Sequence, residues 1–296
     1  MKQPIKLNFT DFWPGFDKFD NYFHNILQEH YDIEIADEPD FLICSCFGEE
    51  YKRFNCIRIF YTGEVFHNGR KVKLDFNLYD YIFSFNYIAS PDNYRLPLYA
   101  WYSISHTLER KADVDFNQLL SEKTGFCNFV YSNAKAKERV QFFHKLSKYK
   151  KVDSGGRYLN NIGGPVVDKL EFIRKYKFTI AFENCSHSGY TTEKIAEPFS
   201  AYSLPIYWGN PLVHRDFNTK SFLNAHEFKD EEALIERIIE LDNNDELYLD
   251  YLRKPCFYGN KVNQFIRSEN VLDQFSYIFN HTKTPVAKVR KKLLFY

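Results

Sequence analysis

Short apolar runs alternate along this chain with amphipathic segments and polar loops, which leaves few ways to fold. Strands without a hydrophilic face of their own must be covered on both sides, so the alternation predicts a parallel sheet flanked by helices, an α/β fold. A first series places strands at 5–9, 41–46, 57–61 and 79–88, with a helix over 21–29. A charged segment, 106–125, reads as helix plus linker. A second series runs strand 126–133, helix 136–149, a glycine-bearing loop 153–165, helix 166–176, strand 177–182, strand 204–209, and helices from residue 231 onward. Two α/β units meeting near residue 124 would leave a cleft between them. The predicted division is therefore 1–123 and 124–296, with the last helix free to pack back on the first domain.

Composition narrows the function. The 39 basic residues balance the 39 acidic ones, so no global field draws in nucleic acid and any anion site must be local. The 22 Tyr and 30 Phe suit grooves whose rings stack on sugar-like ligands, and equally an aromatic core. Six cysteines (Cys44, Cys46, Cys56, Cys127, Cys185, Cys256) show no C-x-x-C pair and no partnered His spacing, so a zinc site is not expected. No signal peptide is evident, no run approaches the roughly 18 apolar residues of a membrane span, and free thiols fit a reducing cytosol. The last segment carries Lys283, Lys288, Arg290, Lys291 and Lys292 without an acid. It reads as a solvated tail, with a peripheral contact to anionic headgroups at the inner face of a membrane as the alternative.

Phosphate-loop and dinucleotide signatures are missing, and the glycines of 155–164 stand at the wrong spacing for either. Asp113 and Asp115 could hold a divalent metal at a strand end, but nothing before them resembles a strand, and a solvated acidic turn is the simpler reading. The stretch 182–211, "FENCSHSGYTTEKIAEPFSAYSLPIYWGNP", offers more. Glu193 and Lys194 stand where a polar loop becomes a helix, a place that already favours anions. The pair suits a ligand with both hydroxyls and phosphates, or it is simply a helix cap with surface charge. Arg139, in the first turn of the helix after Ser132-Asn133, could grip a diphosphate with its forked guanidinium. Glu64 follows a strand end at Thr62-Gly63, where open α/β sheets place ligands, and could take a proton from an attacking hydroxyl or be an exposed turn acid.

The same stretches carry a resemblance. Residues 176–211 resemble the signature of the α-1,3-fucosyltransferases, glycosyltransferase family 10, particularly bacterial members that make Lewis-type structures. "FYTGE" (60–64), "FNLYDYIFSF" (76–85), "YRLPLY" (94–99) and "SNAKAKER" (132–139) are similar too, so the likeness runs from about residue 57 to 230. It implies a GT-B fold of two Rossmann-like domains, the first holding the acceptor and the second GDP-fucose, and an inverting reaction with no active-site metal. Carried over by position, Glu64 becomes the general base, and Arg139 and Lys194 bind the diphosphate. Glu193 contacts the donor sugar, while Asn184 and Tyr190 complete the donor site. The acceptor implied is N-acetyllactosamine or lactose, fucosylated at the 3- or 4-hydroxyl. A related transferase with another GDP-sugar or acceptor, and a non-catalytic glycan-binding module, are the rival readings. Cys185 and Thr191 depart from the family pattern, which expects Ser or Thr and Val there; both bear on substrate detail.

Overall fold

A computed structural model describes residues 2–109, 113–281 and 283–288 of the 296. The chain divides into two compact units, one of Met1–Trp101 with Gln264–Tyr296 and one of Tyr102–Asn263.

The first unit is built on β1 (Gln3–Thr10), α1 (Tyr22–Gln28), β2 (Tyr31–Ile35), β3 (Phe41–Cys44), β4 (Ile57–Thr62), a small hairpin of β5 (Phe66–His67) and β6 (Arg70–Lys71), β7 (Tyr81–Ser84) and β8 (Asn93–Arg95). Six strands pair in parallel in the order β2-β1-β3-β4-β7-β8. β4 is buried at every position, as expected of a central parallel strand covered on both faces. Asn21 caps α1 by accepting from the Phe23 and His24 amides. The helix Ser268–Asn280 also belongs here: Phe275 packs on Phe23 and Phe83, and Phe279 on Phe41.

The second unit comprises α2 (Phe116–Ser121), β9 (Gly125–Phe129), α3 (Lys137–Leu146), β10 (Val152–Ser154), α4 (Lys169–Arg174), β11 (Tyr176–Phe182), α5 (Glu193–Ser200), β12 (Leu204–Trp208), β13 (Leu223–Asn224), α6 (Glu231–Asp242) and α7 (Asp245–Arg253). Its sheet is parallel throughout, in the order β10-β9-β11-β12-β13. Phe178, Ile180, Leu204 and Ile206 from the two central strands meet Phe142 of α3 and Ile238 of α6 in one apolar core.

Two features differ from the sequence expectation. The units divide at Trp101/Tyr102 instead of near 124, because Phe116 and Leu120 of α2 pack against the second core; residues from 264 onward join the first unit, the packing left open above for the last helix. Nor is the basic tail wholly solvated: the Lys283 ammonium lies 3.1 Å from Asp92 Oδ2 and donates to the Asp80 carbonyl at 2.9 Å. Arg290, Lys291 and Lys292 lie outside the described residues.

Candidate active site

In the second unit, β11 runs buried to Phe182 and hands over to Glu183, whose side chain is fully buried. A carboxylate in that position must be satisfied internally. Its Oε1 accepts the Thr192 amide at 2.7 Å, its Oε2 accepts the Thr192 hydroxyl at 2.8 Å, and the Lys194 ammonium stands 3.4 Å away. Thr192 is the N-cap of α5. One buried acid therefore pins the start of the helix that presents Glu193 and Lys194. Gly209, just past β12 with φ +156°, completes the arrangement: a Cβ there would sit 2.4 Å from Glu183 Cγ, so only glycine lets the two strand ends approach.

The Lys194 ammonium is surrounded by three acceptors, Thr192 Oγ1 at 2.9 Å, Glu193 Oε1 at 3.3 Å and Glu183 Oε2 at 3.4 Å. Burial works against its charge, yet Glu183 and Glu193 outweigh that and hold its pKa well above the ordinary lysine value. For Glu193 burial also opposes ionisation, but Lys194 and Lys169 prevail and keep the carboxyl below its usual value. Glu183 goes the other way: burial lifts its pKa despite Lys194. Lys194 is thus cationic at neutral pH, and to reach a phosphate oxygen it must trade one of its three partners.

Arg139 reaches the same neighbourhood from the first turn of α3, whose N-cap residue, Ala136, offers no side-chain cap. Its side chain is buried, its guanidinium carbon lies 3.8 Å from the Tyr131 ring centroid, and Nη2 donates to Asn184 Oδ1 at 2.7 Å. Tyr131 is itself fixed by donating to the Ile180 and Phe182 carbonyls. Among the described residues no carboxylate pairs with Arg139, and its buried Nε has no protein acceptor. Tyr190 is buried near Lys194. The structure thus gathers Arg139, Asn184, Tyr190, Glu193 and Lys194 in one place.

The loop before α5 is fixed by a second network. Asn210 accepts from the Gly189 amide at 2.7 Å and donates to Thr191 Oγ1 at 3.0 Å, while the Thr191 hydroxyl donates to Asp216 Oδ2 at 2.8 Å. The departure at Thr191 is therefore a buried structural hydroxyl. Cys185 is a half-buried free thiol in this loop.

Glu64 belongs to the first unit, immediately past β4. The Thr62 hydroxyl buckles the turn, accepting the Glu64 amide at 3.0 Å and donating to its carbonyl at 3.1 Å. A Cβ on Gly63 would lie 2.8 Å from Leu98 Cδ1, so a larger residue between strand and acid would make the Leu98 side chain shift. The carboxylate lies near Cys46, whose thiol is pushed up first by burial and further by Glu64. Asp115 has another duty, capping α2 by accepting the Asn117 and Gln118 amides at 3.0 Å each. Among the described residues, no group of three His, Cys, Asp or Glu side chains could hold a metal ion.

Sequence reasoning missed Glu183 and Tyr131. The signal for Glu183 was an acid directly abutting an apolar strand, nine residues before a Thr-Glu-Lys helix start. Tyr131 gave none, because one aromatic among many is indistinguishable from core.

Comparison with known proteins gives two family matches: "Glycosyltransferase family 10 (fucosyltransferase) C-term" over residues 120–283, and "Alpha-(1,3)-fucosyltransferase FucT N-terminal domain" over residues 7–102. The Alpha-(1,3)-fucosyltransferase FucT of Helicobacter pylori is 32% identical over 88% of this chain, which spans 61% of that protein's length. Alpha-(1,3)-fucosyltransferase B of Drosophila melanogaster is 33% identical over 38% of the chain and 28% of its own length. A crystal structure of an α1,3-fucosyltransferase superposes with TM-score 0.82 at 27% identity, covering 97% of this chain and 92% of that one. Another, holding GDP-fucose, superposes with TM-score 0.80 at 27% identity, over 96% and 93%.

Proposed function

Since the chain belongs to glycosyltransferase family 10 and its two Rossmann-like units are of the GT-B type, we propose that it is an α-1,3-fucosyltransferase with GDP-fucose as donor. The acceptor in this reading is N-acetylglucosamine or glucose within a lactosamine or lactose unit, at the 3- or 4-hydroxyl, and the product is a Lewis-type glycan. Glu64 takes the proton of the acceptor hydroxyl. The freed oxygen bonds to the fucose anomeric carbon as the bond to the β-phosphate oxygen breaks, and GDP departs from the opposite face with that electron pair, inverting the centre.

The principal demand is charge building on the leaving diphosphate. Arg139 and Lys194, with the amides opening α3 and α5, answer it; Glu193 and Asn184 orient the sugar, Tyr190 lines the donor site, and no metal is required. The observation that carries the reading is the buried Arg139 guanidinium, stacked on Tyr131 with an unpartnered Nε. A glycan-binding module has no use for such a group. Six free cysteines support a reducing, cytosolic setting, with peripheral attachment at the inner membrane face through the basic tail.

Incubation with GDP-fucose and N-acetyllactosamine, with and without EDTA, followed by linkage analysis of the product, tests the proposal. EDTA-resistant α-1,3 transfer is expected. Turnover of GDP-mannose but not GDP-fucose would replace the donor, and GDP binding with no transfer to any sugar would overturn the enzyme reading.

A further inference from the structure

A set of aromatic rings clusters at the edge of the first unit where Glu64 stands, and the core does not absorb it. β1 ends at Thr10 and continues into Phe12, Trp13 and Phe16; β3 ends at Cys44 and continues into Phe47; β4 leads through Glu64 into His67 of β5. These are all carboxyl ends of parallel strands, the edge where open α/β sheets bind ligands. The rings touch in sequence: His67 lies 4.7 Å from Phe47, Phe47 lies 6.1 Å from Trp13, and Trp13 lies 5.3 Å from Trp101. Trp13 is 36% exposed, an expensive surface for the largest apolar side chain to leave in water; Phe47 and His67 are half-buried.

Two observations say what such a surface would bind. The Thr62 hydroxyl lies 3.8 Å from Cys46 Sγ, and the Glu64 charge is felt at that thiol, so the acid is a neighbour of the residue preceding Phe47. Polar groups also rim the rings: His67 Nε2 and Asn68 Nδ2 are 2.9 Å apart. Flat apolar faces beside hydrogen-bonding side chains and the Glu64 carboxylate match a pyranose, whose C–H face is apolar and whose hydroxyls point outward.

We propose that Trp13, Phe47 and His67 form the stacking platform on which the acceptor sugar lies while its reacting hydroxyl meets Glu64. This rests on the fucosyl-transfer reading and adds the residues that select the acceptor.

The test is acceptor KM against donor affinity in the full-length chain, with N-acetyllactosamine and GDP-fucose. Trp13→Ala raises acceptor KM roughly tenfold and leaves GDP affinity at the wild-type value. Trp13→Tyr keeps a ring and stays within about threefold of wild type, whereas Trp13→Leu, apolar but without a π face, behaves like alanine and serves if the alanine variant fails to fold. Unchanged acceptor KM in Trp13→Leu, or equal KM for Trp13→Tyr and Trp13→Leu, overturns the platform. If the wild type transfers no fucose, the proposed function fails by itself. The platform is then judged by saturation transfer from protein to N-acetyllactosamine protons, whose loss in Trp13→Leu supports it and whose persistence overturns it.

Discussion

The two sheet edges use opposite materials. At the end of β11 the second unit buries charge and locks it: Glu183, Thr192, Glu193 and Lys194 hold one another at 2.7 to 3.4 Å, and Arg139 holds Asn184 at 2.7 Å. At the end of β4 the first unit shows Glu64 beside half-exposed rings. Buried charges need fixed partners and tolerate one ligand geometry, as an invariant diphosphate demands. Ring faces are non-directional and accept many sugars. On the proposed reading the donor is read by electrostatics and the acceptor by surface, so changes at one edge should leave the other's ligand untouched.

The sharpest break would come at Glu64. Glu64→Ala should lower kcat by a factor of about 10² to 10⁴, roughly 3 to 5 kcal/mol, with GDP affinity by calorimetry unchanged. Turnover near the wild-type level would show that the acid at the aromatic edge is not the base.

Glu183→Ala addresses the other edge without touching a ligand group. It strips the Thr192 amide of its acceptor and Lys194 of one counter-ion, so chemical denaturation should show a loss of about 3 kcal/mol in stability. A variant as stable as wild type would mean that the charged edge is not locked as described.

Within that edge, Arg139 should outrank Lys194. The arginine has an unpartnered Nε to offer, whereas the lysine must give up an existing partner. We expect Arg139→Ala to weaken GDP binding by about 10- to 100-fold, the worth of one or two charge-assisted hydrogen bonds, and Lys194→Ala by less. Equal or reversed losses in calorimetry would remove the exchange argument.

Thr191→Val restores the residue the family pattern expects. It should cost about 1 kcal/mol of stability through the lost Asp216 bond and leave acceptor choice unchanged; an altered acceptor profile would move Thr191 into the substrate site.

The smallest effect lies in pH. A lysine whose folded pKa is raised contributes stability in full below its unfolded value, 10.5, and loses it as pH rises towards the folded value. The stability difference between wild type and Lys194→Met should therefore stay level from pH 6 to 9 and shrink above about 10.5. A difference that grows in that alkaline range would contradict the ion-pair assignment.

How much of this could be read in the sequence follows from how locally each feature is encoded. β1, β3, β4 and β11 announce themselves as apolar runs, and α5 by its abrupt Thr-Glu-Lys opening. β2 escapes because it is an edge strand of alternating exposure, and β10 and β13 because three and two residues carry no period. Arg139 and Asn184 stand 45 positions apart; position alone made each a candidate, but their hydrogen bond depends on parallel strand order that no local pattern encodes. The unit boundary was misjudged for a similar reason. Whether α2 is linker or core turns on where Phe116 and Leu120 find a partner, not on their own composition.

Gly209 carries a consequence for inheritance and engineering. It bears no side chain, yet a single added methyl would strike Glu183, displace the carboxylate on which the α5 entrance hangs, and shift Lys194 in turn. The least conspicuous residue of the second unit is therefore among the least replaceable, and the tolerance of this neighbourhood to substitution is set from beneath its floor.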